Sequence, residues 1–424
     1  MKKVWIGKKR YILIGTLLGL AIIFIIYILF SGYVPAVKAS NLMTGIKSNN
    51  VTIKKPDATF VKSVDNFSLR LFNASKSTDG NTLISPVSVI IALSMVENGA
   101  DKETLSQMSR ALSGDIPLSD WNQYIHSYLS DLPNSKKSEL NISNSIWYRD
   151  SDDLKIKESF LQTNADYYKA SIYQAAFDNR TKNDINHWVK TNTHGLIDRV
   201  IDRIGANEIM YLVNTIFFDA RWDTVYQKKN VSDMMFHNED GSISTVRGMT
   251  SGESIYISDD KATGFMKPYY GDHYRFVAVL PHEGINLNDY MKDLSGETFY
   301  NLLNQSQSEV VETTIPKLKY NYAINLNQPL QSLGIKDAFS TNQADFSKMG
   351  ESSHGNIYIS EAIHKACISI DELGTKAGAV TVVGGKEGSA PMDKSIILNR
   401  PFLFAIIDTK TSLPLFMGTV TNLN

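Results

Sequence analysis

Cysteine is all but missing from this sequence. Cys367 is the only one in 424 residues, so no intramolecular disulfide can form, and neither a cysteine-rich zinc site nor an iron–sulfur cluster can be built within the chain. Also missing is an excess of either charge: 43 basic against 44 acidic residues leave a formal net charge of −1. That balance gives no electrostatic footprint for nucleic acid. Eight histidines are scattered, none in HExxH or a paired metal spacing; His187 and His194 flank one helical segment without companions. A nucleophile elbow GxSxG is absent, since Gly248, Met249, Thr250, Ser251, Gly252 place the serine at the wrong offset. Gly384, Gly385, Lys386 are followed by Glu387 rather than by Ser or Thr, which removes a phosphate loop. Adjacent carboxylates such as Asp152 with Asp153, and Asp259 with Asp260, read as solvated turns. The expectation is no metal, no cofactor, no nucleic-acid partner and no catalytic residue, hence not an enzyme. Cys367, in the apolar run Ala366, Cys367, Ile368, reads as a small buried strand residue.

What is present begins at the N-terminus. Lys2, Lys3, Lys8, Lys9 and Arg10 precede an uncharged, mostly apolar stretch over residues 11–30, and twenty residues at ~1.5 Å rise cover a bilayer core of about 30 Å. The basic flank places residues 1–10 in the cytoplasm and the remainder outside the cell membrane as a single-pass protein. Small residues around Ala39 offer a site where the body could be released. A disulfide-free exterior fits a bacterial surface. Residues 31–57 are polar and small and read as a tether, with one folded domain over 58–424 and no internal repeat.

Within that domain, Phe60, Val61, Val64, Phe67, Leu71 and Phe72 recur at helical spacing. Ser85, Pro86 and Val87 announce a second helix, and Ile185, Trp188, Val189 and Ile197 a third. Residues 209–218 read as a buried strand, 276–280 as another, and 402–407 with 415–420 as a C-terminal hairpin. Helices dominate early and strands late, an α+β pattern.

The stretch 371–392, DELGTKAGAVTVVGGKEGSAPM, has small and β-branched residues and no aromatic. It suits a surface loop, yet its alternation of Thr375, Ala377, Ala379, Thr381 and Val383 against Lys376, Gly378, Val380 and Val382 also suits a strand.

Ser85, Pro86, Val87, Ser88 with Ala92, Leu93, Met95, Gly99 and Ala100, then LVNTIFFDARW carrying Asn214 and Trp222, then HKACISIDELGTKAGAVTV, RPFLFAIID and PLFMGTV closely resemble the serpin family. INHWVKTNTHGLI, MKPYY before RFVAVLP, IPKLKY, QSLGIKDAF and ADFSKM are similar in the same order, so the resemblance covers about residues 58–424.

The resemblance implies a metastable fold of three β-sheets and about nine helices with an exposed reactive loop. It implies a serine protease inhibitor acting as a suicide substrate: the loop is cleaved, an acyl-enzyme forms, and the freed loop inserts into the central sheet. The hinge would be Glu372, Gly374, Thr375, Ala377, Ala379 and Thr381, with Gly374 supplying backbone freedom. The family usually has an acidic residue where Lys376 stands and alanine where Val380 stands. Counting forward from Gly374 puts the reactive bond at Gly388 and Ser389; Lys386, Glu387 and Ala390 are the alternatives. Small residues there favour an elastase-like or subtilisin-like protease as covalent partner, while Lys386 would suit a trypsin-like one. Ser85, Ser88, Asn214 and His364 resemble the polar shutter beneath the central sheet, and Trp222 the tryptophan of the breach, where the loop first inserts. The competing functions are a non-inhibitory serpin, used as a binding protein or simply cleaved as a substrate, and a surface hydrolase, against which the missing motifs count.

Overall fold

The computed structural model describes residues 37–77, 80–151, 154–353, 355–375 and 394–423. Among them are nine α-helices and three hydrogen-bonded sheets of seven, nine and two strands. The α+β expectation holds, and helices fill most of the chain between Ala58 and Asn192. The reactive-bond residues Lys386, Glu387, Gly388, Ser389 and Ala390, the hinge residues Ala377, Ala379 and Thr381, and the expected membrane segment 11–30 lie outside the described residues. Among those described, no helix is long and apolar enough to cross a membrane.

Helix α1 (Ala58–Ala74) starts where Asp57 accepts hydrogen bonds from the Thr59 and Phe60 amides, and it buries Phe60, Val64, Phe67 and Leu71 on one face. Helix α2 (Pro86–Glu97) follows the N-cap Ser85 and is buried on every side, so the apolar run 89–93 needs no polar face. The third expected helix is Asn179–Asn192, which stops five residues short of Ile197.

The seven-stranded sheet positions the site. Its members in chain order are β1 (Ser40–Asn41), β2 (Ser138–Arg149), β3 (Ser171–Ala175), β4 (Met210–Arg221), β5 (Leu318–Asn325), β6 (Glu361–Ile370) and β7 (Gly374–Thr375). In space the order is β1-β3-β2-β4-β7-β6-β5. The nine-stranded sheet contains Tyr274–Pro281 and the antiparallel hairpin Phe402–Asp408 with Pro414–Val420, as the apolar runs require. One buried apolar group gathers α1 and α2; a second, around Phe218, Trp222, Phe276, Phe402, Phe404 and Phe416, contains residues of both large sheets.

Two expectations change. Residues from Ala39 to Asp57 were read as part of a tether, yet β1 pairs with β3, the Leu42 amide donates to the Ile172 carbonyl, and Asn49 donates to Asp166. Leu42, Met43 and Ile46 pack against the core, while residues 47–50 and 52–55 are exposed. Cys367 is half-buried rather than buried, because it alternates with the inward Ala366 and Ile368 along β6; partial burial pushes its thiol up.

Candidate functional site

Alternation along three strands creates a polar row in an apolar sheet. On β2, Ile142, Asn144 and Ile146 share a face, and in register they oppose Ile216, Asn214 and Leu212 of β4. Beside Asn214, in the parallel ladder of β4 with β6, stands His364. Ser85 and Ser88, at the start of α2, meet this row. All four residues assigned to a shutter are thus in one cluster, and Asn144 joins them.

The cluster satisfies the Asn214 amide completely. Its Oδ1 accepts from Ser88 Oγ at 2.8 Å and from His364 Nδ1 at 2.6 Å; its Nδ2 donates to the Ser88 carbonyl at 2.8 Å and to Asn144 Oδ1 at 2.5 Å. The histidine tautomer follows from its neighbours. The Ser85 amide donates to Nε2 at 3.1 Å, so Nε2 carries the lone pair and Nδ1 the proton. Burial drives the His364 pKa down to about 3. With its lone pair occupied and no exposed surface, His364 cannot serve as a general base. Among the described residues, no group of His, Cys, Asp or Glu could hold a metal ion.

Above this row the sheet opens. Strands β4 and β6 pair directly over only five registers, from Glu361 opposite Tyr211 to Lys365 opposite Thr215. Higher up, β7 occupies the space between them: Gly374 and Thr375 face Arg221 and Ala220, and Thr375 also bridges to Ile370. Residues 216–219 and 366–369, between these two regions, keep their outer strand partners, and among the described residues none is laddered between them.

The inserted dipeptide explains its own composition. Gly374 has no positive φ; its glycine is required because a Cβ would sit 2.0 Å from the Ala220 carbonyl oxygen. Close approach to β4 therefore replaces the backbone freedom expected from the sequence. Thr375 is 2% exposed, and its hydroxyl bonds to that of Tyr269. Glu372, two residues before Gly374, pairs with Lys317 at 2.6 Å.

Trp222 holds the segment before the hinge. Its amide donates to the Leu373 carbonyl at 2.8 Å and its indole Nε1 to the Asp371 carbonyl at 2.9 Å. The indole also stacks on Tyr269, with centroids 4.5 Å apart and planes 12° apart. The Tyr226 amide donates to the Glu372 carbonyl at 3.0 Å. Trp222 is therefore a hydrogen-bond anchor as well as a packing residue. Sequence reasoning missed Asn144, although an asparagine in an alternating isoleucine row was a signal; nothing local marks Tyr226 or Tyr269.

A polar row thus closes the lower half of the sheet, and above it two residues of the stretch 371–392 are laddered between β4 and β6. The chain is similar to known proteins. A family model described as serpin (serine protease inhibitor) matches residues 62–423. Serine proteinase inhibitor A3K of Cavia porcellus is 30% identical over 81% of this chain and 84% of its own. The thermophilic serpin tengpin in its native state is similar at TM-score 0.89 and 48% identity, covering 91% of this chain and all of that one; its latent state gives 0.79 at 46% identity, over 88% and all. A thyroxine-binding globulin in complex with thyroxine gives 0.76 at 27% identity, over 85% and 98%. By sequence, fold and the order of its motifs, the chain belongs to the serpin family.

Proposed function

We propose that the chain is an inhibitory serpin that traps serine proteases of elastase-like or subtilisin-like specificity. A protease cuts the segment 376–393, with Gly388 and Ser389 as the reactive bond, and the acyl-enzyme forms. The freed strand then continues from Thr375 into the gap between β4 and β6, carrying the protease with it. Residues 11–30 hold the inhibitor at the outer face of the cell membrane. No residue of the chain acts as a catalyst in this reading; the protease supplies the chemistry, and the inhibitor supplies the strand.

One observation supports it above the others: Gly374 and Thr375 are already laddered between β4 and β6. The residues that would follow on the inward face, Ala377, Ala379, Thr381 and Val383, are small. A crowded sheet face admits such side chains and resists a charged one. Family membership alone leaves ligand carriage open, since thyroxine-binding globulin shares the fold; the small-residue hinge favours inhibition.

The test is incubation of the purified protein with elastase, subtilisin, trypsin and chymotrypsin. The expected result is an SDS-resistant covalent complex and a released C-terminal peptide beginning at Ser389. Thr375→Arg should abolish the complex while leaving cleavage intact. Quantitative cleavage of the unaltered protein without any complex would overturn the proposal.

A further inference from the structure

Directly behind the aromatic pair that holds the hinge lies a buried ion pair. Lys267, on strand Ala262–Pro268, and Glu253, on strand Ile243–Ser258, meet at 2.5 Å with side chains 2% and 7% exposed. Ser251 Oγ donates to the same carboxylate oxygen at 2.5 Å. The Lys267 ammonium stands 4.5 Å from the centre of the Tyr226 ring and 5.6 Å from that of Trp222. Both distances fall within the range where a desolvated cation is attracted to a ring face.

Those two aromatic residues are the ones whose amides and indole take the three successive carbonyls of Asp371, Glu372 and Leu373. A buried charge is costly unless paired and hydrogen-bonded, and packed apolar side chains of similar volume commonly do as well for stability. A lysine at this place therefore invites a role beyond holding the fold. Its ammonium is fixed from one side by Glu253, and from the other it attracts both rings.

We propose that Lys267, fixed by Glu253, is a positioning residue for the hinge: its charge holds the Trp222 and Tyr226 rings, and with them the Trp222 indole N–H and the two backbone amides that bind the carbonyls of residues 371–373. It thereby keeps Gly374 and Thr375 seated in the sheet. The inference deepens the inhibitory reading, because a seated hinge shortens the path to insertion. Hinge seating itself can be read with no protease present, so the two can fail separately.

The experiment is hydrogen–deuterium exchange on the peptide covering residues 369–375, in the full chain. Lys267→Met combined with Glu253→Gln removes both charges while keeping the volumes and an acceptor for Ser251. Exchange should become about tenfold faster, the scale expected from one lost desolvated cation–π contact. Lys267→Arg, which retains a cation, should restore the parental rate. Unchanged exchange in the double variant would overturn the proposal. Equal acceleration in Lys267→Arg would overturn it as well, because that result belongs to packing damage rather than to loss of charge. If the double variant does not fold, Tyr226→Leu keeps the ion pair and removes one ring face, and the same acceleration is expected there. A parental rate in that variant sinks the idea.

Discussion

His364 shows how a single titratable side chain can set the pH range of a sheet. Its folded pKa lies at about 3, against 6.5 for the free group, because burial excludes the charged form. The unfolded chain therefore binds more protons than the folded one between these values. The stabilisation is complete above about pH 6.5 and is lost as pH falls toward 3, at up to about 1.4 kcal/mol per pH unit. Asp65 and Glu97 act in the opposite sense. Burial raises their pKa values to about 8 and about 7, so in the same window they favour the folded state as pH falls. The contribution of His364 must be read as a difference: His364→Gln should gain stability relative to the parent as pH falls from 6.5 to 4, by urea unfolding at each pH. An identical slope in the two proteins would remove His364 as the source.

At the scale of elements, β7 is the feature that makes the molecule unusual as a sheet. Two residues sit between strands that pair directly with each other farther down, and only the missing Cβ of Gly374 allows the upper one to approach β4. Gly374→Ala should therefore expel the hinge rather than unfold the protein. The clash with the Ala220 carbonyl is of the kind that costs about 1–3 kcal/mol in a packed setting. The expected outcome is increased protease sensitivity and amide exchange over residues 371–375 with little change in the exchange of α2. Parental protection of the hinge in this variant would show that β4 yields instead. The polar row below behaves as the complementary element, since Asn214 uses every donor and acceptor it has to bind β2, β6 and α2 at once.

For the whole molecule, the proposed inhibition requires a strand to enter between β4 and β6 above the five registers over which they pair directly. Completing the sheet adds a backbone ladder on both sides of the inserted strand and buries its small side chains. Cleavage within residues 376–393 should thus raise the thermal midpoint clearly above that of the intact protein, measured on the same preparation before and after a limiting cut. No rise after verified cleavage would count against a strained native state. At the N-terminus, Ser40 and Asn41 pair with β3, and the Leu42 amide adds one further bond to it.

Much of this was legible in the residues themselves. Periodicity located α1, α2, β4 and the C-terminal hairpin, because each must bury an apolar face or run and the spacing of such residues is a local property. Family resemblance brought Ser85, Ser88, Asn214 and His364 forward as one set although as many as 279 positions separate them, and Trp222 as a second site. Other decisions belonged to tertiary structure alone. Whether Ser40 and Asn41 hang free or join a sheet depends on a neighbour far along the chain, as does the reason for glycine at 374. The tautomer of His364 and the cation behind Trp222 depend on atoms that meet only after folding. Local sequence determines which face of a segment is apolar; which groups then meet across strands and helices is settled only when those faces pack.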